Sequence, residues 1–285
     1  MEKPGQKVGV VATSGALTPQ PFEAGLRLLK EMECEVHVDP SVYDAAGYLA
    51  GPPGARANTL LGYAESDLHL IIGARGGFGA LELLSHLDDE TLHLLPPIMG
   101  FSDMTALLVR LVGLGKEVVH GPTVQSLDDL SQESLDAVVG LIQGGVYEDP
   151  LGRGWEVLCA GEGRGTLTGG NLITLASMCG TPWQPDFGGA IVALEEVNEA
   201  PYRVERALVQ LELAGALEGV AGIILGECLG CGASGKVEAI VAERFAGRNI
   251  PVVAGGLFGH GGDNLPLAFG REVTLSSGAG FSYGV

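Results

Sequence analysis

The chain has 285 residues, 46% of them apolar and 18% charged, and a formal net charge of −19. This is enough apolar material for a sizeable core and for more than one ordinary domain, and it rules out a disordered chain. So negative a surface repels phosphate backbones, which argues against nucleic acid, and no basic amphipathic helix points to a membrane.

The first half alternates strands and helices. Val8–Ala12 (VGVVA) reads as a short strand ending at Thr13-Ser14-Gly15. Little apolar sequence precedes it, which argues against a signal peptide, and no run is long enough to span a membrane. The expected location is the cytoplasm. Residues 21–32 follow with Phe22, Leu26 and Leu29 at helical spacing. Glu35–Val38 is a candidate strand and 58–66 a candidate helix. Leu68–Gly73 (LHLIIG) is a strong strand, followed by ARGGFG and a helix near 80–84. Pro97–Gly100 leads to Ser102 and a helix over 105–114, and Val118–His120 closes the series. Repeated β-α units of this length imply a parallel sheet with helices on both faces. Ligands of such sheets bind beyond the carboxyl ends of the strands. Thr13-Ser14, Arg75-Gly76-Gly77 and Ser102 all fall at that edge.

The character changes after about Val146. The expected organisation is a first domain over 1–146, a turn-rich linker over 147–164, and a second domain over 165–285. Short strands are expected at 155–159, 165–168, 190–195, 222–226, 251–254 and 272–275. Helices are expected near 201–214, with Val204, Leu208 and Leu211 on one face, and near 235–245. This is a mixed, β-rich domain with its own core.

Ser102 in "IMGFSDMTALL" stands between a strand and a helix. Two readings fit. It is a helix N-cap, its hydroxyl accepting from a backbone N–H, or a nucleophile held on a sharp turn. Met104 stands where the second glycine of G-x-S-x-G would be. The second domain offers partners for a nucleophile. "AIVALEEVNEAPYRVERAL" puts Glu195 and Glu196 at a strand end, and "GGLFGHGGDNLPLAFG" puts His260 among glycines after another strand. Ser, acid and His are what a base-activated hydroxyl requires. The small residues of ARGGFG would let backbone N–H groups approach a substrate oxygen.

The remaining residues point to no metal. Cys228-Leu-Gly-Cys231 lacks the second pair of a zinc ribbon and reads as reduced thiols in a loop. The six histidines have no ligand spacing.

VVATSG, ARGGFGA, GFSDMTALL, HGPTV, GTLTGGNLITLASMCGTPWQPD, LEEVNEAPYRVERAL and GHGGDNLPLAFG, in this order, resemble the serine LD-carboxypeptidase family. That family includes the muropeptide LD-carboxypeptidases and the microcin-C immunity peptidases, and the resemblance covers nearly the whole chain. It implies an α/β fold: a flavodoxin-like parallel-sheet N-terminal domain carrying the serine and a smaller C-terminal domain, with the active site in the cleft between them. It implies Ser102 as nucleophile, Glu195 as acid and His260 as base, with Glu196 the competing acid. It implies an oxyanion hole from the backbone N–H groups of Gly77 and Asp103, and no cofactor. The implied substrates are murein peptides losing a terminal D-amino acid from an L-centre, or aminoacyl- and peptidyl-nucleotide analogues. Trp183 is a candidate to stack on a nucleotide-like group, although TPWQP reads equally as a structural turn. Arg75 is a candidate for a free substrate carboxylate. Arg203 and Arg206 are alternatives, unless they pair with Glu199 and Glu205 on the helix surface. A homodimer is expected from the resemblance alone. The reading from another class is a non-catalytic protein clamping a small ligand between two domains.

Overall fold

The computed structural model describes residues 5–145, 150–151 and 154–284. It divides into two compact units, Met1–Tyr147 and Glu148–Val285.

The N-terminal unit runs β1 (Lys7–Val11), α1 (Pro19–Glu31), β2 (Glu35–Val38), α2 (Pro53–Leu61), β3 (Leu70–Gly73), α3 (Ala80–Leu83), α4 (Asp89–Leu94), β4 (Ile98–Gly100), α5 (Thr105–Gly113), β5 (Val118–His120) and α6 (Gln132–Ile142). Its strands lie in the order β5-β4-β3-β1-β2, all parallel. This is the flavodoxin-like doubly wound order, whose direction reverses beside β1 and β3. Helices cover both faces, so the strands are near-continuous apolar runs rather than alternating ones: Val8, Val10, Val11, Ile71, Ile72, Ile98 and Met99 are fully buried. Helix α1 buries Phe22, Leu26 and Leu29, the stripe legible in its spacing. Helix α2 begins earlier than the sequence suggests. Pro52 and Pro53 fix the φ of its first positions and set the start there.

The C-terminal unit contains β6 (Glu156–Cys159), β7 (Glu162–Asn171), α7 (Leu172–Ser177), β8 (Ile191–Val197), α8 (Pro201–Leu213), β9 (Gly222–Leu229), α9 (Lys236–Phe245), β10 (Val252–Ala254), β11 (Leu267–Phe269), β12 (Glu272–Ser276) and β13 (Gly280–Tyr283). Seven of these strands form a mixed sheet in the order β13-β12-β7-β8-β9-β10-β6. Its centre, β7 to β10, is parallel, and β6 and β12 are antiparallel to their neighbours. Of the stretch 147–164, residues 147–149 and 152–153 lie outside the described residues, while β6 and the start of β7 are ordered strand. Helix α8 buries Val204, Leu208 and Leu211 as its periodicity requires.

Two features of this unit depart from expectation. Cys228 lies within β9 rather than in a loop, and Cys231 follows it, buried. Desolvation raises both thiols above the ordinary cysteine value, Cys228 far above it, which keeps them protonated and weakly nucleophilic. On α8, Arg203 pairs with Glu199 at 3.4 Å as expected. Arg206 does not pair with Glu205. It stacks on Tyr202, and Glu205 takes Arg244 at 2.6 Å.

Candidate active site

In the N-terminal unit the loops after β1, β3 and β4 gather around Ser102. The backbone turns sharply at the end of β4. Ser102 has φ +61°, in the left-handed region, and opens a single 3₁₀ turn (Ser102–Met104) that runs into α5. A non-glycine residue there carries roughly 1–3 kcal/mol of strain. No side chain caps the turn or α5. Ser102 therefore begins the helical segment without being its N-cap, and the capping reading is corrected. A strained strand-to-helix turn is how a serine Oγ is held up and exposed.

The ARGGFG loop lies directly against this serine. A Cβ built on Gly76 would sit 2.8 Å from both Cβ and Oγ of Ser102, so only glycine fits. Gly77 has φ +116° and is exposed, and no hydrogen-bond partner for its N–H is found among the described residues. The loop is tied down on both sides. Gly15 N–H donates to Gly76 O at 3.1 Å, and the Asp103 carboxylate accepts from Ala80 N–H at 2.8 Å. Gly77, Asp103 and Ser102 are thus grouped in this unit. Arg75 is half-buried, with Nη1 donating to Ala16 O at 2.6 Å.

The C-terminal unit brings together the acid and the histidine. Glu195 Oε2 lies 2.6 Å from His260 Nδ1, with Glu195 fully buried. The register explains how. Leu194 faces Leu225 and Glu196 faces Cys228, so two residues of β9 oppose Glu195 alone. Such a bulge re-aims a side chain. Glu195 turns to His260, and Glu196 turns elsewhere. Its carboxylate accepts from Asn171 Nδ2 and Ile173 N–H, both at 2.9 Å, and from Val197 N–H at 2.8 Å. Asn171 is the N-cap of α7, so Glu196 completes a helix start. Burial raises the Glu196 pKa, against the pull of those donors.

His260 sits in a glycine-rich turn that packs on β8 and β9. A Cβ on Gly259 would be 3.4 Å from the Glu195 Cβ, and one on Gly261 would collide with the Glu227 carboxylate. Asn264, itself buried, accepts from Gly259 N–H at 3.4 Å. Burial alone would pull the His260 pKa down. The Glu195 hydrogen bond and charge, with help from Glu196 and Glu227, outweigh it and leave the pKa raised. Glu195 Oε1 has no hydrogen-bond partner among the described residues, so the hydrogen bond between Oε2 and His260 Nδ1 is the main compensation for burying this carboxyl group.

Trp183 is half-buried in a turn of this unit, its backbone N–H donating to Thr181 Oγ1 at 3.2 Å. Sequence reading did not single out Arg56, Asn171, Glu227 or Asn264, since isolated polar residues carry no spacing signal. Among the described residues no group of three or more His, Cys, Asp or Glu side chains could hold a metal ion, and no helix is long and apolar enough to cross a membrane.

A doubly wound unit with a serine on a strained turn, and a second unit with a buried carboxylate–histidine pair, make a two-unit α/β protein. The comparisons name its family. Residues 8–121 match the LD-carboxypeptidase N-terminal domain and residues 164–275 its C-terminal domain. The chain belongs to the LD-carboxypeptidase family. It is similar to the murein tetrapeptide carboxypeptidase of Pseudomonas aeruginosa, at 32% identity over 94% of this chain and 92% of the relative. It is similar to the microcin C7 self-immunity protein MccF of Escherichia coli, at 28% identity over 73% and 71%. The crystal structure of muramoyltetrapeptide carboxypeptidase from Oxalobacter formigenes shares its fold, with a TM-score of 0.80 and 30% identity over 96% of each chain.

Proposed function

We propose that the protein is a serine carboxypeptidase that removes a terminal D-amino acid from an L-centre in murein peptides, acting in the cytoplasm during wall recycling. The observation that carries the chemistry is the Glu195–His260 pair, with Oε2 on Nδ1 at 2.6 Å. A carboxylate on Nδ1 fixes the proton there and leaves Nε2 as the base. In the proposed reaction His260 takes the Ser102 proton as Oγ attacks the scissile carbonyl. Glu195 steadies the imidazolium. The N–H groups of Gly77 and Asp103 receive the developing oxyanion. The C–N bond breaks, His260 protonates the departing amine, and the D-amino acid leaves. Water, activated by the same histidine, then hydrolyses the acyl-serine and frees the enzyme. Neither metal nor cofactor takes part. Arg75 is the proposed partner of the substrate carboxylate, its remaining donors being available beside Gly15 and Gly77. Support for the substrate class comes from the murein tetrapeptide carboxypeptidase relative.

The competing substrate is an aminoacyl- or peptidyl-nucleotide analogue, for which Trp183 would be the stacking residue; the relative MccF has been solved in complex with aspartyl sulfamoyl adenosine. Mass spectrometry of products, with a murein tetrapeptide in one arm and an aminoacyl sulfamoyl adenosine in the other, separates the two. Loss of the terminal D-residue from the tetrapeptide, at a higher kcat/KM, is the expected result. Cleavage of the nucleotide analogue alone would replace the carboxypeptidase reading.

A further inference from the structure

Arg56 is the largest fully buried side chain of the protein's described residues, at 2% exposure. Its guanidinium is spread over three loops. Nε donates to Gly51 O at 3.1 Å, and Nη1 donates to Gly79 O at 3.0 Å and also to Thr13 O. Nη2 reaches Glu82 Oε2 at 3.3 Å, on a carboxylate that is itself half-exposed. A buried charge is an expensive filler, and an apolar side chain of similar volume is often as stabilising or more so. What an apolar residue cannot do is bind three backbone carbonyls at once in a fixed plane.

Two of those carbonyls belong to the walls around Ser102. Thr13 O lies in the loop after β1, two residues before Gly15, which bonds Gly76. Gly79 O lies at the far end of ARGGFG, beside Ala80, whose N–H is held by Asp103. Gly79 has φ +126°, and a Cβ on it would be 2.7 Å from Arg56 Nη1. The last glycine of the motif is thus required by the guanidinium, as Gly76 is required by Ser102.

We infer that Arg56 is a positioning residue for catalysis, clamping the loops after β1 and β3 so that the Gly77 N–H is held where the oxyanion forms. The inference rests on the proposed serine mechanism. Arg56 touches no reacting atom and acts through the loop.

The test compares Arg56→Lys, Gly79→Ala and Glu82→Gln with wild type. Each is assayed for kcat and KM on a murein tetrapeptide, and for the rate at which a fluorophosphonate labels Ser102. Lysine keeps the charge and loses the planar fork. Alanine at 79 keeps the fork and displaces it. Misplacing a reacting geometry by about an ångström costs on the order of a hundredfold. Both variants should lose about 10–100-fold in kcat, with KM within about threefold, and the labelling rate should fall in parallel. Glu82→Gln leaves the three carbonyl bonds and should match wild type. The inference is overturned if either folded variant, assayed well below its melting temperature, keeps wild-type kcat and labelling rate, or if KM alone rises. Should Arg56→Lys not fold, Gly79→Ala decides by the same criteria. Wild type that turns over without labelling at Ser102 would instead overturn the serine mechanism itself.

Discussion

Ser102→Ala is expected to lose essentially all turnover while keeping the fold and the melting temperature. The catalytic half of this result follows from chemistry. In the proposed mechanism no acyl intermediate forms without Oγ, and the groups that remain give only a small residue of rate enhancement, as in serine hydrolases where single triad deletions remove most of the catalysis. The stability half follows from geometry. An N-cap serine would cost about 1 kcal/mol on truncation, but no side-chain cap bond is present at this turn. Alanine adopts the same φ of +61° at similar strain, so nothing stabilising is removed. Steady-state kinetics beside a thermal melt checks both halves. Substantial turnover by a folded Ser102→Ala variant would remove this residue from the mechanism.

The second large effect separates neighbouring acids. Glu195→Gln should lower kcat by several orders of magnitude, and Glu196→Gln should leave it nearly unchanged. In a serine protease the analogous carboxylate-to-amide change costs about four orders of magnitude. The pH profile adds a signature. His260 must be neutral to accept a proton, so activity falls as pH drops through its pKa. That pKa is raised in the protein, because the Glu195 hydrogen bond and charge overcome the burial that would lower it. The wild-type acid limb should therefore sit above the ordinary histidine value of about 6.5. Glu195→Gln removes the main raising contribution and leaves the desolvation, so its limb should move to lower pH. Linkage makes the same pair a stability contribution that is fully present below the unfolded histidine pKa. It fades as pH rises through the folded one. For Glu196→Gln the limb should stay close to wild type, and the cost should appear in stability, about 1–2 kcal/mol from weakened bonds to Asn171 and Ile173. A silent Glu195→Gln beside a dead Glu196→Gln would reverse the assignment.

The strands of the N-terminal unit were legible because both faces of its sheet are covered. Runs such as VGVV and LIIG then read as continuous apolar segments, and glycines mark where they end. The loops at the carboxyl ends of β1, β3 and β4 followed from that order, and with them the neighbourhood of Ser102, Gly76 and Gly77. The choice between Glu195 and Glu196 was not legible. It depends on a bulge in the β8–β9 pairing, a property of two strands distant in sequence. Cys228 escaped for the opposite reason: the glycines around it mimic a loop, but β9 runs on to Leu229. Arg56 gives no local signal at all, since the carbonyls it binds belong to residues up to 43 positions away.

The claim on which the rest depends is that Ser102 is the nucleophile, and covalent labelling tests it most directly. The protein is treated with a fluorophosphonate, digested, and the adduct located by mass spectrometry. The account predicts a single stoichiometric adduct on Ser102, loss of activity in proportion to labelling, and strongly slowed labelling of Glu195→Gln. An adduct on a different residue that tracks the loss of activity, or full activity in a protein whose Ser102 is fully modified, would contradict it.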